Sequence, residues 1–302
     1  MIRQIAVVSG KGGTGKTTAT AAFADLAGPA VLADCDVEAP NLHLVTAHAL
    51  RMETEFFGRH VAALDVGACR GCGACTRACR YGALRRRGSA FAVDPLACEG
   101  CGACRFACPY DAISLAPLRT GRVLVSSAQR GAFAHAELDV GADGSGRLVT
   151  EVRRHALEEA QRSGLDLVLI DGAPGTGCAV IATIGGTQGV VAVTEPSRSG
   201  LADLGRLLDV AAHFHVPAAV VVNRWDIEPA LAAEIERESL GRGVPVAGRI
   251  PFDEAVPRAI AQGLPVTRLG GPAAEALAEV WAGVRDLLLP DLARAAGASE
   301  PA

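Results

Sequence analysis

The chain has 302 residues, half of them apolar, 21% charged and 4% aromatic, a composition that makes a folded protein of one or two domains and argues against a disordered one. Its formal net charge is −4 with the charges interspersed, so neither a nucleic-acid-binding face nor an acidic tail is indicated, and no run of eighteen apolar residues offers a membrane span. Of 29 basic residues only Lys11 and Lys16 are lysines, five positions apart in one glycine-rich stretch.

The opening MIRQIAVVSG is too short for the apolar core of a signal peptide and reads as a first strand at 4–9. GKGGTGKTT follows, and then ATAAFADLA reads as a helix closed by Gly28. Gly10, Gly15, Lys16 and Thr17 fit G-x-x-x-x-G-K-[ST], and Gly12, Gly13, Thr14 and Thr18 complete the loop. Glycines there let successive backbone N–H groups curl around phosphates, and the helix N-terminus adds its partial positive charge. Lys16 is expected to reach the β and γ phosphates of ATP, and Thr17 to offer its hydroxyl to Mg²⁺. A compact ammonium suits this nest where a planar guanidinium does not, which accounts for lysine in a chain that uses arginine elsewhere.

Next, AVLADCDVEAPNLHL at 30–44 gives a buried strand ending in Asp34 and Asp36, at the edge where parallel α/β sheets bind ligands; the same pair could cap the following turn. Between 66 and 116 the chain changes character. CRGCGACTRACRYGAL (69–84) and CEGCGACRFACPYDAI (98–113) are copies offset by 29 residues, each reading C-x₂-C-x₂-C-x₃-C, the run of bacterial two-cluster ferredoxins. In that run the fourth Cys ligates the other cluster. Cys69, Cys72, Cys75 and Cys108 are therefore expected to hold one [4Fe-4S] cluster, and Cys98, Cys101, Cys104 and Cys79 the second. Zinc is the rival ligand for C-x₂-C pairs. Pro109 follows Cys108 as the ferredoxin pattern has it, whereas Arg80 follows Cys79. Seven arginines against three acids in this segment either balance the clusters or, at LRRRGS (84–89), dock an acidic redox partner; an exposed hairpin turn is the plainer reading of that stretch.

GLDLVLIDGAPGTGCAV (164–180) is an apolar strand running into Asp171 and a Pro-Gly-x-Gly turn, the form of a carboxylate that holds Mg²⁺. Strands at 189–196 and 217–226, each preceded by helical periodicity, and an amphipathic helix at 272–289 follow. Strands alternating with helices predict a doubly wound, mostly parallel α/β sheet, with the last helix packed on it. Eight of ten cysteines at metal-ligand spacing, rather than spread as disulfide pairs, suit a reducing cytoplasm.

The loop KGGTGKTT, with its extra Lys11, resembles the deviant Walker A loop of the partitioning and nitrogenase-reductase-like ATPases, among them MinD, ParA and Mrp-type proteins. The match along nearly the whole chain is to MinD-superfamily ATPases carrying an inserted ferredoxin domain. The resemblance implies a P-loop ATPase in which Lys11 reaches across a two-fold homodimer to the partner's nucleotide and Asp36 orients the attacking water. It places Asp34 near Mg²⁺ and its waters, makes 172–177 a switch segment, and puts Asn223 and the IPFDEAV turn around Pro251 beside adenine. Asn223 could instead simply form a turn. HAELDVGADGSGRLVTEVRRHA (135–156) resembles the segment before the Asp171 strand, with Arg147 where lysine is common. Cys35 reads as a small buried hydrophobe. Cys178 resembles a cluster-bridging cysteine of nitrogenase reductase by its spacing from Asp171, although bridging takes two cysteines per subunit and 117–165 contain none.

The expected layout is an ATPase domain at 1–60 and 117–296, a ferredoxin-type domain inserted at 61–116, and a disordered tail at 297–302. The expected function is ATP hydrolysis driving a dimer switch coupled to electron transfer through two [4Fe-4S] clusters to an unidentified redox or client protein. The alternatives are an Mrp-type iron–sulfur carrier and a positioning switch with redox-sensing clusters.

Overall fold

The structure, a computed structural model, describes residues 1–88, 90–143 and 146–291; the tail expected at 297–302 lies outside them. In chain order the elements are β1 (Arg3–Ser9), α1 (Lys16–Leu26), β2 (Val31–Asp34), β3 (His48–Phe56), β4 (Arg59–Leu64), α2 (Ala74–Ala78), β5 (Leu84–Arg87), β6 (Ala90–Val93), α3 (Ala103–Phe106), β7 (Ile113–Leu118), β8 (Gly121–Ala128) and β9 (Gly131–Leu138). They continue with α4 (Gly146–Ser163), β10 (Leu167–Pro174), α5 (Cys178–Ile184), β11 (Gly189–Thr194), α6 (Arg198–His213), β12 (Ala218–Asn223), α7 (Pro229–Gly241), β13 (Val246–Ile250), α8 (Ala255–Ala261) and α9 (Pro272–Leu288). The chain forms two compact units, one of Met1–Thr54, Val123–Glu137 and Gly144–Ala302, the other of Glu55–Arg122 and Leu138–Asp143.

The large sheet runs β13-β12-β11-β1-β10-β2-β9-β8-β3. β1 pairs parallel with both β10 and β11, and β2, β12, β13 and β9 extend the parallel set. Such strands are covered on both faces and so carry unbroken apolar runs: every residue of β11, Gly189–Thr194, is buried. This is the α/β sheet that the alternating elements predict. Phe23 of α1 stacks on Trp281 of α9, ring centres 5.2 Å apart, and α9 buries Leu277, Val280, Val284 and Leu288, so the last helix lies on the sheet as expected. Among the described residues no helix is long and apolar enough to cross a membrane.

β3, β8 and β9 extend the sheet beyond what the sequence revealed. β3, HALRMETEF, exposes eight of its nine residues, and its alternation of Leu50, Met52, Thr54 and Phe56 with Arg51, Glu53 and Glu55 is a strand period that sequence reasoning overlooked.

The smaller unit is built from an antiparallel pair, β4 with β7, a short hairpin of β5 and β6, and the helical turns α2 and α3, each inside a run of cysteines. Its core is small: Ala62, Leu84, Phe91 and Ile113 pack with Cys75, Cys98 and Cys104. Gly100, between Cys98 and Cys101, has φ +62°, and a Cβ there would stand 2.3 Å from the His60 carbonyl oxygen, so that loop closes against β4 only because it has no side chain.

Candidate functional site

At the carboxyl ends of β1, β2 and β10 the parallel register sets Val7 beside Asp171 and Asp171 beside Asp34. The glycine loop leaves β1 at Ser9, whose hydroxyl donates to the Lys11 carbonyl (2.7 Å), and enters α1 through Gly15 at φ 96°. Asn223, at the end of β12, donates its amide to the Thr14 carbonyl (2.8 Å), and a Cβ on Gly15 would lie 2.3 Å from that nitrogen. The Asn223 side-chain oxygen in turn accepts the Arg224 N–H at 3.0 Å, so this residue clamps the loop to β12.

Lys16 is buried, and its ammonium lies 3.6 Å from the Asp36 carboxylate. Thr17 donates to Asp171 at 2.6 Å, and Thr20, one turn further along α1, donates to the other oxygen of the same carboxylate at 3.0 Å. Sequence reasoning missed Thr20, although its i+3 spacing from Thr17 puts both hydroxyls on one helix face. Both oxygens of Asp34 accept backbone N–H groups, from Asp36 and from Leu42, each at 3.1 Å. Asp34 thereby holds the 36–42 segment in place. Lys11 points within its own chain to the start of α6, its Nζ 2.8 Å from Glu195 and 2.9 Å from each of the Ser197 and Ser199 hydroxyls. Arg224, at φ 54°, reaches Glu195 at 3.3 Å from the other side; nothing in its sequence context marks it.

These carboxylates stand where water is scarce. Burial pushes Asp171 up to about 6, against the pull of Lys16 and the Thr17 and Thr20 hydroxyls. Burial, and then the neighbouring Asp171, raise Asp34 well above the usual carboxylate range, and burial raises Asp36 against the attraction of Lys16. Three oxygen-bearing acids held in low dielectric favour a hard cation among them. Thr17 and Asp171 are the donors that fit Mg²⁺. A cavity of about 690 Å³ opens beside them, lined by Gly12, Gly13, Lys16, Thr17, Asp36, Pro174 and Cys178, with Val256, Ile260 and Leu264 at its apolar end. A smaller cavity of about 220 Å³ lies between Gly15, Thr18, Asn223, Arg224, Pro251 and Phe252. Cys178, exposed, faces the larger cavity; Cys35 is buried, and burial with the Asp34 charge pushes its thiol up, so it stays protonated and inert.

The buried acid carries a pH signature. Between about pH 4, where an unfolded aspartate titrates, and about pH 6, where Asp171 titrates, the folded chain binds more protons than the unfolded one, so stability falls as pH rises through that window. Each pKa unit is worth about 1.4 kcal/mol. The denaturant midpoint of the metal-free native chain, measured relative to its Asp171→Asn variant, is expected to drop from pH 4 to pH 6 and to level off above. A difference that does not change with pH would show that Asp171 titrates normally.

In the smaller unit, Cys69, Cys72, Cys75 and Cys108 line one cavity, with Leu64, Phe91 and Ile113. Cys98, Cys101, Cys104 and Cys79 line another, with Ala62, Leu84, Val93 and Leu115. Each set takes three cysteines from one run and the fourth from the other. The Ala62 N–H points to the Cys98 sulfur and the Ala112 N–H to the Cys108 sulfur, both at 3.4 Å. Among the described residues no group of three or more His, Cys, Asp or Glu is gathered about a point that would suit a single metal ion. Four thiols around an apolar cavity, with backbone N–H groups aimed at sulfur, are a donor set that fits a [4Fe-4S] cubane.

A glycine loop between the central strand and α1, a buried lysine and carboxylates at neighbouring strand ends define a P-loop nucleotide-binding protein. The chain belongs to the family described as CbiA, CobQ/CobB/MinD/ParA nucleotide binding domain, which matches residues 5–266. It is 28% identical over 291 residues to an uncharacterized protein of Methanocaldococcus jannaschii, covering 95% of this chain and 98% of that one. It is 29% identical over 148 residues to an iron-sulfur cluster carrier protein of Pyrococcus abyssi, covering 45% of this chain and 50% of the relative. Among solved structures, the septum site-determining protein MinD complexed with Mg-ADP from Pyrococcus horikoshii superposes with a TM-score of 0.54 at 20% identity, covering 95% and 97% of the two chains, a likeness of fold.

Proposed function

We propose that this protein binds and hydrolyses ATP and couples an ATP-dependent homodimer switch to electron transfer, through two [4Fe-4S] clusters, to a protein partner in the cytoplasm. The observation that carries the redox half is the pair of four-cysteine cavities, each completed by the distant repeat. When bound, the clusters supply one-electron carriers, and the thiols of the two sets hold them. The ATPase half rests on the loop and the acids. The backbone of 10–15 cradles phosphate, Lys16 neutralises the terminal phosphates, Thr17 and Asp171 hold Mg²⁺, and Asp36 takes a hydrogen bond from the attacking water. Asp34, through its two backbone bonds, sets the position of Asp36. The small cavity between Asn223 and Pro251 takes the base, and Asn223 acts there chiefly by fixing the loop. Lys11 acts in the dimer on the partner's nucleotide. The layout is that of an ATPase at 1–60 and 117–296 with a ferredoxin-type insert at 61–116.

Coupling is tested by following cluster reduction, cluster potential and partner reduction with and without ATP. ATP is expected to alter at least one of the three in the native chain and none in Lys16→Ala. If all three are the same under every condition, the two halves are uncoupled.

The similarity to iron-sulfur cluster carrier proteins favours a second reading, in which the chain delivers a cluster rather than electrons. Loss of cluster absorbance from this chain as an apo-acceptor gains it would establish that reading; the electron-transfer reading requires the clusters to stay.

A further inference from the structure

Because the two cysteine runs, 69–84 and 98–113, are copies offset by 29 residues, each position within one run has a counterpart in the other. The counterparts differ in chemistry. Arg70 lines the first cavity, and its counterpart Glu99 lines the second. Arg77 donates from Nη1 to the carbonyl of Cys72, the exposed cysteine of the first set, at 3.4 Å. Its counterpart is Phe106, 92% exposed, whose ring lies against Gly102 in the wall of the second cavity. Arg86 of β5 holds its guanidinium 6.0 Å from the ring centre of Phe91, and Phe91 lines the first cavity. Three exposed guanidiniums therefore stand around the mouth at Cys72. None of them makes an ion pair among the described residues.

Balancing the negative charge of the clusters would call for cations at both cavities alike. Arg80 and Arg105 follow Cys79 and Cys104 of the second set in sequence, but that cavity is lined by Glu99 and, among the described residues, by no arginine, whereas Arg70 lines the first, so the cations at the first mouth do more than balance cluster charge. Exposed, unpaired cations around a redox centre attract and orient a partner of opposite charge while desolvating little.

We propose that the mouth at Cys72, rimmed by Arg70, Arg77 and Arg86, is the docking face for an acidic protein that carries one electron. In the step it supports, the reduced carrier loses one electron, the cluster of Cys69, Cys72, Cys75 and Cys108 gains it, and no atom is transferred. The inference rests on the proposed function, since it needs that cluster to be present.

The test uses the full chain, reconstituted anaerobically, with a reduced acidic plant-type ferredoxin as probe. Complex formation and the rate of cluster reduction are both followed as ionic strength rises from about 0.05 M to about 0.5 M, a range across which exposed charges become screened. Affinity is expected to fall about tenfold or more over that range. The Arg77→Glu/Arg86→Glu variant is expected to weaken binding at low salt by about tenfold or more and to slow electron entry in proportion, while Phe106→Ser keeps both within about twofold. Cluster absorbance and reduction by dithionite should match the native chain in both variants. Unchanged binding in the double variant, or a loss confined to Phe106→Ser, overturns the docking face and leaves the clusters standing. A native chain that takes up no cluster overturns the proposed function and the docking face together. Should only the double variant fail to load, the native salt response and Arg77→Gln decide, and a flat response with unchanged Arg77→Gln overturns the face.

Discussion

Cys108→Ala is expected to abolish the cluster held by Cys69, Cys72 and Cys75, 33 residues away in sequence at its near edge, and to leave the cluster of its own run intact. Cys79→Ala should do the reverse. In each variant iron falls from about eight to about four atoms per chain, and one of two reduced-state EPR signals disappears. The reason is geometric. α2 follows Cys72 and α3 follows Cys101, and each short helix turns its chain so that the last cysteine of the run lines the opposite cavity: Cys79 joins Cys98, Cys101 and Cys104, and Cys108 joins Cys69, Cys72 and Cys75. Mapping which signal each variant loses requires a second mutation in the same set. Cys108→Ala combined with Cys75→Ala should lose no more iron than either alone, whereas Cys108→Ala combined with Cys104→Ala should lose all of it. The opposite pattern would mean that each run closes its own cluster. Metal analysis giving zinc in place of iron would remove the redox half of the proposed function altogether.

The two lysines are expected to fail differently. Lys16→Ala should weaken nucleotide binding about 10- to 100-fold, the worth of one charge-assisted contact at about 1.5–3 kcal/mol. Its ammonium is buried in the wall of the cavity next to Asp36, where removing the charge also leaves that carboxylate without its cation, held among the described residues by the Ala39 N–H alone. Lys11→Ala should leave binding to the single chain within about threefold and lower hydrolysis by about 100-fold or more, the range seen when one transition-state donor is removed. Lys11 is the more exposed of the two and is held by Glu195, Ser197 and Ser199, so it contributes little to the nucleotide of its own chain. Titration with a fluorescent ATP analogue and single-turnover hydrolysis separate the two outcomes. A Lys11→Ala chain that binds nucleotide as poorly as Lys16→Ala would place Lys11 on its own nucleotide and remove the argument it makes for a dimer.

Much of this protein was legible in its residues because the informative patterns are local. The Lys16 loop needs six consecutive backbone positions, and glycine at 10, 12, 13 and 15 announces them. Strands such as GVVAVT carry unbroken apolar runs because both of their faces are covered. The cysteine runs fix ligand type and spacing within eleven residues each. Asn223 was harder: as a residue ending a strand it fits a turn or a ligand contact, and only the approach of the Thr14 carbonyl shows its amide spent on the loop. Thr20 was overlooked because a threonine inside an alanine-rich helix resembles any other until Asp171 is brought beneath it.

By itself the sequence determined the parallel α/β sheet, the phosphate loop at its centre and two cysteine sets of four. Those features follow from short-range spacing, which survives in one dimension. The tertiary structure alone decided that both oxygens of Asp34 hold the 36–42 segment, that Lys11 rests on Glu195, that β3, β8 and β9 widen the sheet, and that Arg70, Arg77 and Arg86 collect at one cavity while Phe106 stands at the other. Each joins residues far apart in the chain or separated by a turn whose direction no periodicity encodes, so the contact exists only once the elements have packed.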